Sequence, residues 1–158
     1  GEMLAFMLGV KATHVPYKGT APSLNDVAGG LVDFSFSVIP AAQALVKSGK
    51  LRALAVTSLQ RHAQLPDVPT VAESGVEALA KFESTLTYGV RAPKGAAANT
   101  VKKLSDEILQ VAAQSAFQSK LGVEGAVPLL GDAKAYAKKI QEETRKWDAV
   151  IKASGASV

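Results

Sequence analysis

Apolar positions along the chain switch repeatedly between two periods. Met3, Leu4, Phe6, Met7 and Leu8 form a helical face that Gly9 closes. The run 12–17, ATHVPY, is extended, and Pro16 places its end near an edge. A helix follows. Thr20 suits its N-cap, Pro22 its first turn, Leu24, Val27 and Ala28 share one face, and Gly29-Gly30 stops it. In 31–39, Val32, Phe34 and Phe36 alternate with Asp33, Ser35 and Ser37, the period of a strand. Pro40 opens another helix that Gly49 ends, and 51–58, LRALAVTS, is an almost continuous apolar run. Such a run between helices reads as a strand buried on both faces, hence parallel.

Residues 12–58 therefore spell strand, helix, strand, helix, strand, the order of an α/β fold with short connections. The stretch 60–75 has little periodicity and reads as a loop with a short helix at Thr70–Ser74. A further strand is expected over 84–93, closed by Pro93, and a brief strand or turn at GAVPLLG. The remainder is helical. Val101, Leu104, Ile108 and Ala112 form one stripe, and Tyr136, Ile140, Thr144, Trp147 and Ile151 form another. Trp147 and Tyr136 read as core anchors rather than ligand platforms. Lys102 and Asp106 pair at i, i+4, as do Lys103 and Glu107.

The net charge of +4 over 158 residues changes this picture little. Basic residues are scattered among acids, as in KKIQEETRKW, rather than gathered in the stripe of a nucleic-acid binder. With no cysteine, disulfides, thiolate metal sites and a cysteine nucleophile are excluded. No apolar run reaches the roughly 18 residues of a membrane span, so direct membrane insertion is not expected. The chain does not begin with Met, and GEMLAFMLG reads as the middle of an amphipathic helix, so preceding residues are expected to be missing.

Catalytic chemistry finds little support. His14 and His62 are the only histidines, one in an extended segment and one in a polar loop. Neither belongs to a metal-binding motif, and no GxSxG elbow, P-loop or GxGxxG is present. No catalytic residue, metal site or cofactor is assigned.

The segment YKGTAP is more informative. A strand ends at Tyr17 and a helix starts near Ala21. First-turn amides lack intrahelical partners and carry the positive end of the helix dipole. Gly19 permits close approach of a guest, Thr20 adds a hydroxyl and Lys18 a charge. Together they favour an anion, a carboxylate as readily as a phosphate. An ordinary capped turn beside a solvated lysine fits the same spacing. In an open α/β sheet, ligands sit beyond the carboxyl ends of strands. Ser37 and Val38, at the end of the next strand, could line the same crevice.

The blocks HVPYKGTAPSLNDVAGGLVDFSFSVIP, KSGKLRALAVTS and RHAQLPDVPTVAESG, with the later GVRAPKG and ETRKWDAVIKASG, resemble the Bug (TctC-like) family. These are extracytoplasmic solute receptors of tripartite tricarboxylate transporters. The resemblance runs from Gly1 to about Gly155. It implies an α/β, periplasmic-binding-protein-like fold of type II, with a parallel-rich sheet flanked by helices. It also implies an incomplete two-lobe architecture here, because family members are about twice as long and the N-terminal half is missing. Residues 1–83 would be most of lobe two, and 84–158 the returning part of lobe one. The implied ligand is a small carboxylated solute: a dicarboxylate, amino acid or aromatic acid. It would be held by Tyr17, Lys18, Gly19, Thr20, Ala21, Ser37 and Val38 in the periplasm and delivered to the transporter's membrane subunits. Ser37 and Val38 stand where relatives often carry Asn and a neighbour, which leaves ligand identity open. Two alternatives stay open: a truncated fragment that binds nothing, and an enzyme on the same scaffold.

Overall fold

The structure, a computed structural model, describes residues 1–154. It divides into two compact units, Gly1–Thr85 and Leu86–Val158.

The first unit holds α1 (Glu2–Leu8), α2 (Thr20–Ala28) and α3 (Ile39–Lys47), followed by single 3-10 turns at Val71–Ser74 and Glu77–Leu79. The glycine stops act as the sequence predicts. Gly9 takes a left-handed conformation, φ 64°, and its N–H returns to the last turn of α1. α1 packs on the turn Glu77–Leu79. Met3 and Leu79 are buried in these two elements, and Phe82 just beyond is 1% exposed. Burying one such side chain stabilises a fold by roughly 1.5–3 kcal/mol.

The stretch 56–75 is fixed by hydrogen bonds. Val56 forms an isolated parallel bridge to Thr70. Its N–H donates to Pro69 O at 2.8 Å, and its carbonyl accepts from Val71 N at 3.0 Å. Thr70 caps the 3-10 turn. Its hydroxyl accepts from Glu73 N, while its own N–H donates to Glu73 Oε2 at 2.7 Å, a reciprocal capping box. Arg61 completes the clip, with Nε and Nη2 reaching the Glu73 carboxylate at 2.9–3.1 Å and Nη1 reaching Pro66 O. The Arg61 guanidinium and then the Thr70 N–H hold the Glu73 carboxyl at about 2, far below its ordinary 4.5. The helix expected at Thr70–Ser74 is thus a 3-10 turn that begins after Thr70.

The second unit holds α4 (Ala98–Ala112), α5 (Ser115–Val123) and α6 (Ala133–Ser154), with α4 packed on α5. The pair Lys102–Asp106 forms at 2.6 Å. Burial is thinner than the two helical stripes predict. Leu104, Ile108, Ile140 and Ile151 stay 37–50% exposed, and Val150 is the buried residue of α6 among those described. Trp147 is half-buried, with Nε1 donating to Glu143 Oε2 at 2.9 Å and Lys146 over its ring. Burial alone would oppose ionisation of Glu143, but hydrogen bonds from Lys146 and Trp147 outweigh it and keep the carboxyl low.

The expected parallel sheet is the main difference. Segments 12–17, 31–39, 51–58 and 84–93 form no ladder among the described residues. Segment 51–58 instead makes the Val56–Thr70 bridge and accepts a bond from Ser84 N at Thr57 O, 2.9 Å. Phe34 and Phe36, expected on a buried strand face, meet edge to face at 6.0 Å and are 50% and 43% exposed. Alternation gives a segment the right faces, but a strand exists only where a neighbour supplies the opposite hydrogen-bonding edge.

Gly89 shows where one such segment is covered. A Cβ placed on it would fall on the ring of Tyr136 in α6. Gly89→Ala should therefore push the half-buried Tyr136 ring aside at a cost of about 1 kcal/mol or less, read as a small shift in urea midpoint that Tyr136→Ala in the same chain should absorb. In the first unit, depressed ionisation of Glu73 adds stability above its unfolded pKa near 4.5, and this is lost as pH falls towards 2. The Thr70 amide proton, bonded to that carboxylate, should titrate near pH 2 by NMR and move up towards 4.5 in Arg61→Ala.

Candidate functional site

The turn Tyr17–Ala21 stands open. Gly19, not Thr20, is the N-cap of α2, and Thr20 is the first helical residue, with no side-chain cap hydrogen bond. The reason is local: Gly19 sits at φ 122°, ψ 172°, a backbone conformation closed to most L-residues, so the chain can turn into the helix there. A Cβ on Gly19 would meet nothing within 4 Å. Helix geometry leaves the N–H groups of Gly19, Thr20 and Ala21 without intrahelical partners, and Pro22 has none to offer. Lys18, Gly19 and Ala21 are exposed, and Thr20 and Tyr17 half-buried.

Tyr17 is held from behind. Its Oη donates to Asp26 Oδ2 at 2.7 Å, tying the turn to the second turn of α2. That bond is the main cause of an upward shift in the phenol's pKa, with burial and the Asp26 charge acting the same way. The hydroxyl proton is thus engaged, and the ring rather than the hydroxyl is available to a guest.

The second turn is brought to the first. Ser23, in the first turn of α2, and Ser35, two residues before Ser37, share a hydrogen bond of 2.7 Å between hydroxyls. α2 also packs on α3. Val38 is the N-cap of α3 at φ −71°, ψ 145°, with Pro40 in the first turn. Ser37 is exposed and Val38 45% exposed. The structure thus gathers the start of α2 and the segment leading into α3 around one hydroxyl pair. Ser23, Ser35 and Asp26 escape a reading of the sequence, because serines twelve residues apart carry no local signal of contact.

The arrangement offers donors: backbone amides at a helix start, the Thr20 and Ser37 hydroxyls and the Lys18 ammonium. The histidines lie elsewhere in role. His14 is exposed, and His62 Nδ1 accepts from Gln64 N at 3.2 Å within its loop. Among the described residues, no group of three or more His, Asp or Glu side chains is placed to hold a metal ion, and no helix is long and apolar enough to cross a membrane.

The chain resembles known proteins over nearly its whole length. The family model described as tripartite tricarboxylate transporter family receptor matches residues 1–156. A UPF0065 protein encoded in the tcbD–tcbE intergenic region of Pseudomonas sp. strain P51 is 35% identical over 149 residues, covering 94% of this chain and 44% of that protein. Three solved structures superpose well. Rpa4515 of R. palustris with adipate gives a TM-score of 0.80 at 34% identity, covering 98% of this chain and 50% of that one. The periplasmic binding protein BugD gives 0.76 at 36%, covering 98% and 51%. MatC of Rhodopseudomonas palustris with bound malate gives 0.70 at 29%, covering 94% and 51%. The chain belongs to the tripartite tricarboxylate transporter receptor family, whose members are solute-binding receptors and not enzymes. It spans about half the length of each of these solved relatives.

If the hydroxyl pair holds the two turns together, Ser23→Ala and Ser35→Ala should each cost about 1 kcal/mol, and the double variant little more than either single one. Urea unfolding of the three variants measures this directly.

Proposed function

We propose that this chain supplies part of the ligand cleft of a periplasmic carboxylate receptor, with the anion held at the helix starts around Gly19–Ala21 and Ser37–Val38. The observation that carries the reading is the open α2 start tied by the Ser23–Ser35 bond to the approach of α3. Unclaimed amides at a helix start stabilise a carboxylate without a proton transfer. Adipate and malate, found with two of the solved relatives, are both dicarboxylates, so a small dicarboxylate is the ligand class assigned here. Tyr17 offers a ring edge beside the anion, Lys18 a solvated charge, and Thr20 and Ser37 neutral hydroxyls. Residues 1–83 serve as most of lobe two and 84–158 as the returning part of lobe one of a parallel-rich, two-lobe receptor. The loaded receptor then passes its cargo to the membrane subunits of the transporter.

The position of Gly19 as N-cap sharpens the test. Thr20→Pro places proline at the first helical position, where its fixed φ suits the helix. The substitution therefore deletes one amide donor while leaving α2 intact. Isothermal titration with adipate and with malate should show binding that weakens about tenfold or more in Thr20→Pro, the loss of one hydrogen bond to a charged group. Lys18→Ala should weaken it by no more than about fivefold, as for an exposed charge. Equal losses in both variants, or no binding of either acid to the unaltered chain, would overturn the assignment of the anion site.

A further inference from the structure

A loose joint lies at the start of α2, and a single side-chain bond spans it. Pro16 fixes its own φ and restricts Val15, and Pro22 stiffens the first turn of the helix. Between these two stiff stretches, Gly19 sits at φ 122°, ψ 172° with no side-chain cap hydrogen bond. A Cβ on it would meet nothing within 4 Å, so side-chain packing does not fix it there. Glycine has more backbone freedom to lose than any other residue. A swing at Gly19 would redirect its own amide and that of Thr20. The spanning bond runs from Tyr17 Oη to Asp26 Oδ2 at 2.7 Å. Tyr17 lies before the joint, and Asp26 lies in the second turn of α2. Both residues are half-buried. A hydrogen bond to an ionised carboxylate is roughly twice as strong as a neutral one. α2 itself is held by other means, the Ser23–Ser35 bond and its packing on α3. Losing the Asp26 carboxylate therefore frees the joint and leaves the helix in place.

We propose that Asp26 is a positioning residue of the anion site. It acts through the Tyr17 hydroxyl to hold Gly19 in the conformation that presents the α2-start amides together, and it touches no ligand itself. The inference rests on the reading of Gly19–Ala21 as a carboxylate site and deepens it. An acid binding to a joint already fixed does not have to fix it. Without the bond, binding must order that residue's backbone, which weakens affinity about five- to thirtyfold. The charge of Asp26 works the other way, because a carboxylate in the helix that receives an anion repels it. The hydrogen bond and the charge are thus separable: asparagine keeps an acceptor for Tyr17 Oη and drops the charge.

Four variants test this: Tyr17→Phe, Asp26→Ala, their combination, and Asp26→Asn. Each is titrated calorimetrically with adipate, and backbone ¹⁵N order parameters are measured with no acid present. Tyr17→Phe and Asp26→Ala should each weaken adipate about five- to thirtyfold, and the combination little more than either, because both remove the same bond. Asp26→Asn should recover most of the loss. Without acid, order parameters at Lys18 and Gly19 should fall from about 0.85 to below about 0.6 in Tyr17→Phe and Asp26→Ala, and Asp26→Asn should restore them. Order parameters that stay high in Tyr17→Phe or Asp26→Ala overturn the proposal whatever the titrations give. Additive losses of affinity overturn it too. So does adipate binding that tightens in Asp26→Ala and Asp26→Asn alike, the mark of a charge effect alone. A joint that loosens as expected in a chain whose unaltered form binds no adipate refutes the anion site, and with it the role of Asp26 there.

Discussion

An extended segment with alternating apolar side chains makes two demands at once: partners along both hydrogen-bonding edges, and a packed layer on its apolar face. A helix meets the first demand within itself. This difference organises the whole chain. α1 through α6 close their own backbone bonds and need neighbours only on one side. The segments 12–17, 31–39, 51–58 and 84–93 carry the strand pattern, yet the first unit meets their demands at single points, the Val56–Thr70 bridge and the Ser84–Thr57 bond. The exposed faces of Phe34, Phe36, Leu86 and Tyr88 follow from the same constraint.

What the sequence makes legible divides along that line. Helix ends depend on neighbouring residues, so the stop at Gly9 and a short helical turn near Thr70–Ser74 could be placed from their neighbours alone. Strand pairing depends on residues remote in sequence or on another stretch of polypeptide, so period-two runs predict faces but not ladders. The α2 start was legible to within one residue. Thr20 is the better side-chain cap on propensity, but the backbone reversal after Tyr17 calls for a positive φ, and glycine alone meets that readily. Ser23 and Ser35 were invisible for the opposite reason: they are ordinary polar positions whose meaning arises only from contact. On α6, a stripe through Ile151 was expected, whereas the helix turns Val150 inward.

Two parts of the first unit use polar interactions differently. In 61–75, one carboxylate is shared between a guanidinium and a backbone amide, and the loop is stiffened without a core. Around α2, hydrogen bonds hold side chains away from the open turn. Asp26 draws the Tyr17 hydroxyl back, and Ser35 occupies Ser23. Fixing the periphery leaves Lys18, Gly19 and Ala21 exposed at the start of α2, the preorganisation that the proposed site would require.

The open start of α2 also bears on how such a receptor diverges. On the proposed reading the acid is held by main-chain amides, which are present whatever side chain a codon specifies, so that grip would survive most mutations and be erased chiefly by proline or by a change at Gly19. The rim, at Lys18, Ser37 and Val38, enjoys no such protection. Under that reading, drift would alter which acid is preferred long before it abolished the taste for acids, and one scaffold could serve a lineage whose diet keeps changing.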